Sequence, residues 1–213
     1  VRQGRFISLE GPEGCGKSTH ARRLAERLER EGISVVLTRE PGGTPIGEAI
    51  RELLQHRTFP DPMYPEVEAL LFSASRAQLV RQVILPALAQ GRWVISDRFM
   101  DSTTVYQGYA RGLDLGQIEM LHRIAVGEAI PDLTIVLDVD VDTSARRLHE
   151  RYGMQGTTLD RLEREDRTFH ERVRAGYHDL AEREPHRIRL ISSMGELDQV
   201  AEQIWHEVWN ALR

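Results

Sequence analysis

Eight residues constrain this chain more than any other stretch: Gly11-Pro12-Glu13-Gly14-Cys15-Gly16-Lys17-Ser18. They fit the pattern G-x-x-x-x-G-K-[ST], in which glycines let backbone N–H groups converge on phosphate oxygens. The pattern carries weight only between a strand and a helix, and both flanks are legible. "RFISLE" (5–10) is an apolar run of strand length. "STHARRLAERLERE" sets Ala21, Leu24, Ala25 and Leu28 on one helical face, and Gly32 stops it. A helix opening directly on the loop adds its positive end to the cradle.

The chain holds 28 lysines and arginines together, and Lys17 is the single lysine. A compact point charge suits a phosphate cradle where a planar guanidinium fork does not. The candidate nucleotide-binding set is Gly11, Pro12, Glu13, Gly14, Cys15, Gly16, Lys17, Ser18 and Thr19. Lys17 is placed to reach the β- and γ-phosphates of ATP, and the Ser18 hydroxyl to join the shell of Mg²⁺.

Beyond the loop, short apolar runs alternate with segments of helical period. "SVVLTR" (34–39), "WVISD" (93–97), "LTIVLDV" (133–139) and "RIRLIS" (187–192) are further strands, the third expected near the sheet centre. "IGEAIRELLQ" predicts a short helix, and residues 66–90 a long one broken or kinked at Pro86. Asp142 or Thr143 is the expected cap of "SARRLHER", "YGMQGTT" (152–158) a flexible break, and about 160–184 a charged helix. "LDQVAEQIWHEVWNAL" is an amphipathic closing helix. Five strands with helical crossovers predict an α/β fold, a three-layer sandwich around a five-stranded parallel sheet, in a single domain spanning 1–213.

A formal charge of −5 argues against a dedicated nucleic-acid binder. Cys15 is the lone cysteine, which rules out an intrachain disulfide. There is no apolar signal region and no bilayer-length apolar run, so the expectation is a soluble, cytoplasmic protein without membrane partners. Asn210 is the lone asparagine, which leaves no room for the N-K-x-D guanine motif of a GTPase, and no L-S-G-G-Q transporter signature occurs. A small-molecule kinase fits best.

"TREPGGT" (38–44), "LFSASRAQL" (71–79), "SDRFMDSTTVYQGYARGL" (96–113) and "LDRLE" (159–163) follow the loop in that order. With these motifs the sequence closely resembles the thymidylate kinase (dTMP kinase) family over essentially its whole length. The resemblance implies a P-loop nucleoside monophosphate kinase fold with a lid at about 147–163, a homodimer, and transfer of the γ-phosphoryl of Mg·ATP to dTMP. It also assigns roles. Lys17, Asp97, Arg98 and a lid arginine, Arg151 in preference to Arg147 or Arg161, are the implied catalytic residues. Asp97 and Ser18 would serve the metal. Arg98, Arg39 and Arg51 would hold the acceptor phosphate, where guanidinium forks match phosphate. Phe72 would stack on thymine and Arg76, four residues on, would bond its carbonyl edge. Thr103 and Gln107 would surround the base, Tyr106 would pack on the sugar where a 2′-hydroxyl has no room, and Ser102 neighbours this set. Glu13 would face the acceptor sugar and the cation. Residue 14 is glycine, which resembles the branch of the family whose arginines come from the lid. Asp160 and Glu163 match acidic positions near the site, and 192–194 lies where adenine contacts are expected.

Taken as residues alone, several of these have plainer readings: Phe72 as core, Arg51 as a solvated helix arginine, Asp160 and Glu163 as surface ion pairs. At the level of activity, the rivals are a P-loop kinase for another monophosphate or a deoxynucleoside, and a regulatory module that binds nucleotide without turnover.

Overall fold

The computed structural model describes residues 4–156 and 159–212. The sheet has five parallel strands: β1 (Phe6–Glu10), β2 (Val35–Arg39), β3 (Trp93–Asp97), β4 (Leu133–Asp138) and β5 (Ile188–Ser192). Their order is β2-β3-β1-β4-β5. The centre is therefore β1, buried along its whole length, and β4 lies beside it rather than at the middle.

Side-chain alternation along the strands assigns the two faces. Ile7, Leu9, Ile95, Leu133, Ile135 and Leu137 pack against α1 (Lys17–Arg30) and α9 (Leu197–Leu212), through Leu24, Leu28, Ile204 and Val208. Phe6 and Val94 point the other way, into a cluster with Leu79, Val80 and Ile84. Those residues belong to a continuous helical stretch: α3 (Pro65–Leu79), a wide π turn (Val80–Ile84) and α4 (Leu85–Ala89). Pro86 sits in the first turn of α4, so the wide turn precedes it and the helix is not broken there. Val136 and Ile188 face α8 (Arg167–Arg183), where Phe169, Val173 and Tyr177 complete the core. Helices on both faces make the three layers that the sequence predicts.

Three local expectations are corrected. The helix after β4, α7 (Val141–Gln155), is capped by Asp140, whose carboxylate accepts the Thr143 N–H at 2.8 Å, and not by Asp142 or Thr143. It also runs through Tyr152 and Gly153, ending only where Gly156 takes a left-handed conformation, φ 63°. The predicted break at 152–158 is thus helical over its first four residues, and 157–158 lie outside the described residues. Finally, α8 begins at Arg167 behind the cap Asp166, because 160–165 are turns stapled by Asp160. The remaining helices are α2 (Pro45–Arg51), α5 (Met100–Thr103) and α6 (Leu115–Ala125), and two further wide π segments, Glu52–His56 and Thr104–Ala110, follow α2 and α5.

Candidate active site

The loop between β1 and α1 takes its shape from glycines where no other residue fits. Gly11, Gly14 and Gly16 have φ of 132°, 69° and 92°. A Cβ on Gly11 would lie 2.3 Å from the Leu137 carbonyl oxygen. Lys17, on the first turn of α1, folds its ammonium back to donate to the carbonyls of Gly11 at 3.0 Å and Pro12 at 2.8 Å, 3.5 Å from the Cys15 sulfur. Ser18 donates its hydroxyl to Asp97 at the end of β3. Hydroxyl and carboxylate oxygens brought together in this way form the hard donor set that Mg²⁺ prefers.

Arg98 is the one non-glycine residue with positive φ among those described, at 71°. Its backbone is held from several sides: its N–H donates to the Leu9 carbonyl at 2.9 Å, and its own carbonyl accepts from Ser96 Oγ at 2.6 Å. The turn sends the guanidinium under the loop, where Nη2 meets Glu13 at 2.5 Å and Nη1 donates to the Gly11 carbonyl at 3.2 Å. Tyr106 donates to the same Glu13 oxygen at 3.1 Å. Burial pushes the Glu13 carboxyl up, but Arg98, Lys17 and the Tyr106 hydroxyl outweigh it and hold it at about 2.

Beside this cluster opens a pocket lined by Phe72, Ser102, Thr103, Tyr106, Gln107 and Leu162, with Glu13 and Arg98 also in its wall. The α5 turn and the following wide π segment present Ser102, Thr103, Tyr106 and Gln107 together. Arg76 stands behind the wall at 1% exposure, donating to Glu40 at 2.7 Å, Thr103 at 2.9 Å and the Phe99 carbonyl at 3.0 Å. The expected pair thus shares a helix face, with Phe72 lining the pocket and Arg76 buried beneath it.

On the β2 side, Arg39 pairs with Glu48 at 3.0 Å and Arg51 donates to the Pro41 carbonyl at 2.9 Å. Arg39 and Asp97 line one surface pocket together with Ser18. Of the lid arginines, Arg147 reaches the loop, donating to the Gly14 carbonyl at 3.4 Å and to the Ser193 carbonyl at 2.9 Å. Arg151 is bound instead to Glu163 at 2.6 Å and to Tyr152 at 3.0 Å. Arg161 pairs with Glu68 at 2.5 Å. Burial, with Glu13 and Glu163 nearby, pushes Asp160 up to about 6.

Sequence reasoning missed the carboxylates beneath the site. Glu10 is fully buried and accepts from the Phe99 N–H at 2.7 Å, Ser102 Oγ at 2.6 Å and the Tyr177 hydroxyl at 2.9 Å. Burial and the neighbouring Asp101 push its carboxyl up. Glu40, pushed to about 7 by burial despite Arg76, and Glu68, with no exposed surface, are the other two. A charged residue on a strand that is otherwise apolar, as in "RFISLE", is the one signal that marked Glu10 in the sequence.

With this geometry in view, the comparisons are consistent. The thymidylate kinase family model matches residues 9–204. The thymidylate kinase of Syntrophotalea carbinolica is 48% identical over 210 residues, covering 97% of this chain and 96% of its own. That of Synechococcus sp. (strain JA-3-3Ab) is 50% identical, with 95% and 94% covered. The crystal structure of thymidylate kinase from Ehrlichia chaffeensis superposes with a TM-score of 0.77 at 34% identity, covering 96% of this chain and 98% of that one. A phosphate loop on the central strand, a half-buried arginine on a strained turn and a match that spans nearly the whole chain place the protein in the thymidylate kinase family.

Proposed function

We propose that this protein transfers the γ-phosphoryl group of ATP to dTMP, giving dTDP and ADP. The observation that carries the reading is the Arg98–Glu13–Tyr106 cluster, which stands between the phosphate loop and the aromatic pocket. An acceptor phosphate on Arg98, with its base in that pocket, faces a donor phosphate held by the loop.

The acceptor is already ionised, so no strong base is needed, and catalysis consists of alignment and charge stabilisation. Lys17 would leave the two loop carbonyls for the donor's β- and γ-phosphates. Arg98, with Arg39 and Arg51, would clamp the acceptor phosphate, and Arg151 would swing in with the lid as negative charge spreads. When bound between Ser18 and Asp97, Mg²⁺ would neutralise charge on the transferring group. Phe72 would stack on thymine, with Thr103 and Gln107 along its edge, and Arg76, behind Thr103, would trade one of its present acceptors for the base carbonyl. Tyr106 and Ser102 would enclose the deoxyribose, and Glu13 would face its hydroxyl.

A homodimer belongs to the same reading. Supporting it, α3 and α6 pack together and leave Leu70 at 56%, Met120 at 61% and Ile124 at 70% exposed. The reading takes residues 1–213 as one domain working in the cytoplasm, and no helix among the described residues is long and apolar enough to cross a membrane.

The test is ADP release from Mg·ATP against a panel of monophosphates and thymidine. Fast release with dTMP, less with dUMP and negligible release with dCMP or thymidine is expected. Release with another monophosphate would leave the loop chemistry and remove the thymine assignment. Binding of ATP and dTMP without ADP would mark a regulatory module.

A further inference from the structure

Glu68 lies on α3 with no exposed surface, yet no step of the transfer uses it. Three side chains converge on it. Gln107 donates its amide nitrogen to Oε1 at 2.6 Å. Arg111 donates to both oxygens, at 3.3 and 3.2 Å, and Arg161 meets Oε2 at 2.5 Å. A carboxylate paired with two guanidiniums offers its neighbours acceptors only.

That restriction has a consequence for Gln107. An amide can present either end to a partner, and a flip exchanges donor for acceptor at both. Against an acceptor-only neighbour the nitrogen end is compelled toward Glu68. The amide oxygen is then the acceptor that Gln107 offers on the side of the pocket it lines.

Resting on the dTMP phosphorylation proposed above, we infer that Glu68 is a specificity-positioning residue, locking the Gln107 amide so that an acceptor faces the pairing edge of the base. Thymine carries a donor at N3 and satisfies that oxygen. Cytosine carries a lone pair at N3 and leaves two acceptors opposed, an arrangement that an amide flip cannot relieve while the Glu68 carboxylate holds the amide nitrogen. The thymine methyl plays no part in this discrimination.

The test compares kcat/KM for dTMP, dUMP and dCMP in the unmodified protein, Glu68→Gln and Glu68→Asp. A glutamine at 68 can donate as well as accept, which frees the Gln107 amide to turn. The dTMP to dCMP ratio should fall about tenfold or more, the scale of one lost polar discrimination, while the dTMP to dUMP ratio stays unchanged. Glu68→Asp keeps the charge that Arg111 and Arg161 require but retreats from the amide, and an intermediate ratio is expected.

A merely structural role would lower kcat/KM for all three monophosphates in proportion, and constant ratios in either folded variant would overturn the inference. Should neither variant fold, side-chain amide NMR of the unmodified protein decides. One Gln107 amide proton should stay protected from exchange with and without dTMP, and equal fast exchange of both would overturn it. Failure of the unmodified enzyme to use dTMP would instead strike the parent reading.

Discussion

Glu13 and Arg98, 85 residues apart in sequence, close an ion pair of 2.5 Å between the phosphate loop and the turn that ends β3. Each is 15% exposed, and Arg98 reaches the pair only because its backbone is held in the left-handed region, φ 71°. A non-glycine residue there costs roughly 1–2 kcal/mol, and strain of this kind collects at functional sites.

Arg98→Ala and Arg98→Gly separate the side chain from the strain. Both should lower kcat/KM for dTMP by about 10²-fold or more, because the acceptor phosphate loses its fork. Glycine, free of the left-handed penalty, should be the more stable variant by about 1 kcal/mol in urea unfolding. Equal stability of the two would show that the turn is unstrained.

Lys17→Ala and Lys17→Arg should both lose about 10²-fold or more in kcat/KM while keeping the fold. The ammonium occupies a space bounded by the Gly11 and Pro12 carbonyls at 3.0 and 2.8 Å, too tight for a planar fork. Activity of Lys17→Arg within a few-fold of the unmodified enzyme would remove the geometric argument.

Acid should act on His122. The ring is buried, Nε2 lies 2.9 Å from Thr104 Oγ1, and Nδ1 has no partner. Burial, with Arg76 nearby, pushes its pKa down to about 3. An unfolded histidine titrates near 6.5, so its contribution to stability is complete above about 6.5 and is lost as pH falls toward the folded value. His20, pushed down to about 4 by burial and by Arg23 and Arg147, acts in the same direction. Glu40 at about 7 and Asp160 at about 6 act oppositely, favouring the fold as pH falls. The informative quantity is therefore a difference: His122→Gln should lose less stability than the unmodified chain between pH 7.5 and pH 5. Parallel losses, read from urea midpoints, would contradict the assignment.

Light scattering tests the dimer. Ile124→Glu, or Leu70→Glu on the facing helix, should yield a monomer if the exposed α3–α6 face is the interface, since a carboxylate there would be buried without a partner. An unmodified protein that is monomeric at micromolar concentration would dispose of the proposal.

Much of this was legible in the sequence because it is local. The phosphate loop, its two flanks and all five strands follow from spacing and apolar runs, and α9 begins and ends where the amphipathic period places it. What escaped is tertiary. The sequence pointed to Asp142 or Thr143 as the cap of α7, and the helix starts earlier, behind Asp140, whose carboxylate takes the Thr143 N–H. Gly153 looks like a breaker, yet nothing stands within 4 Å of where its Cβ would be, and the helix passes through. The partners that hold Arg76, Thr103 and Glu40, lie 27 and 36 residues away, which no window on the sequence contains.

The strand order divides labour in a way that bears on how such an enzyme can change. On one side of β1 lie β3 and β2, whose ends carry Asp97, Arg98 and Arg39; on the other lie β4 and β5, leading to Arg147 and Ser193. The two halves of the chemistry meet at the loop that β1 carries and again across the Arg161–Glu68 and Arg98–Tyr177 contacts. Neither side is therefore free to drift while the other stays intact, and substitutions far apart in the sequence are bound to alter together.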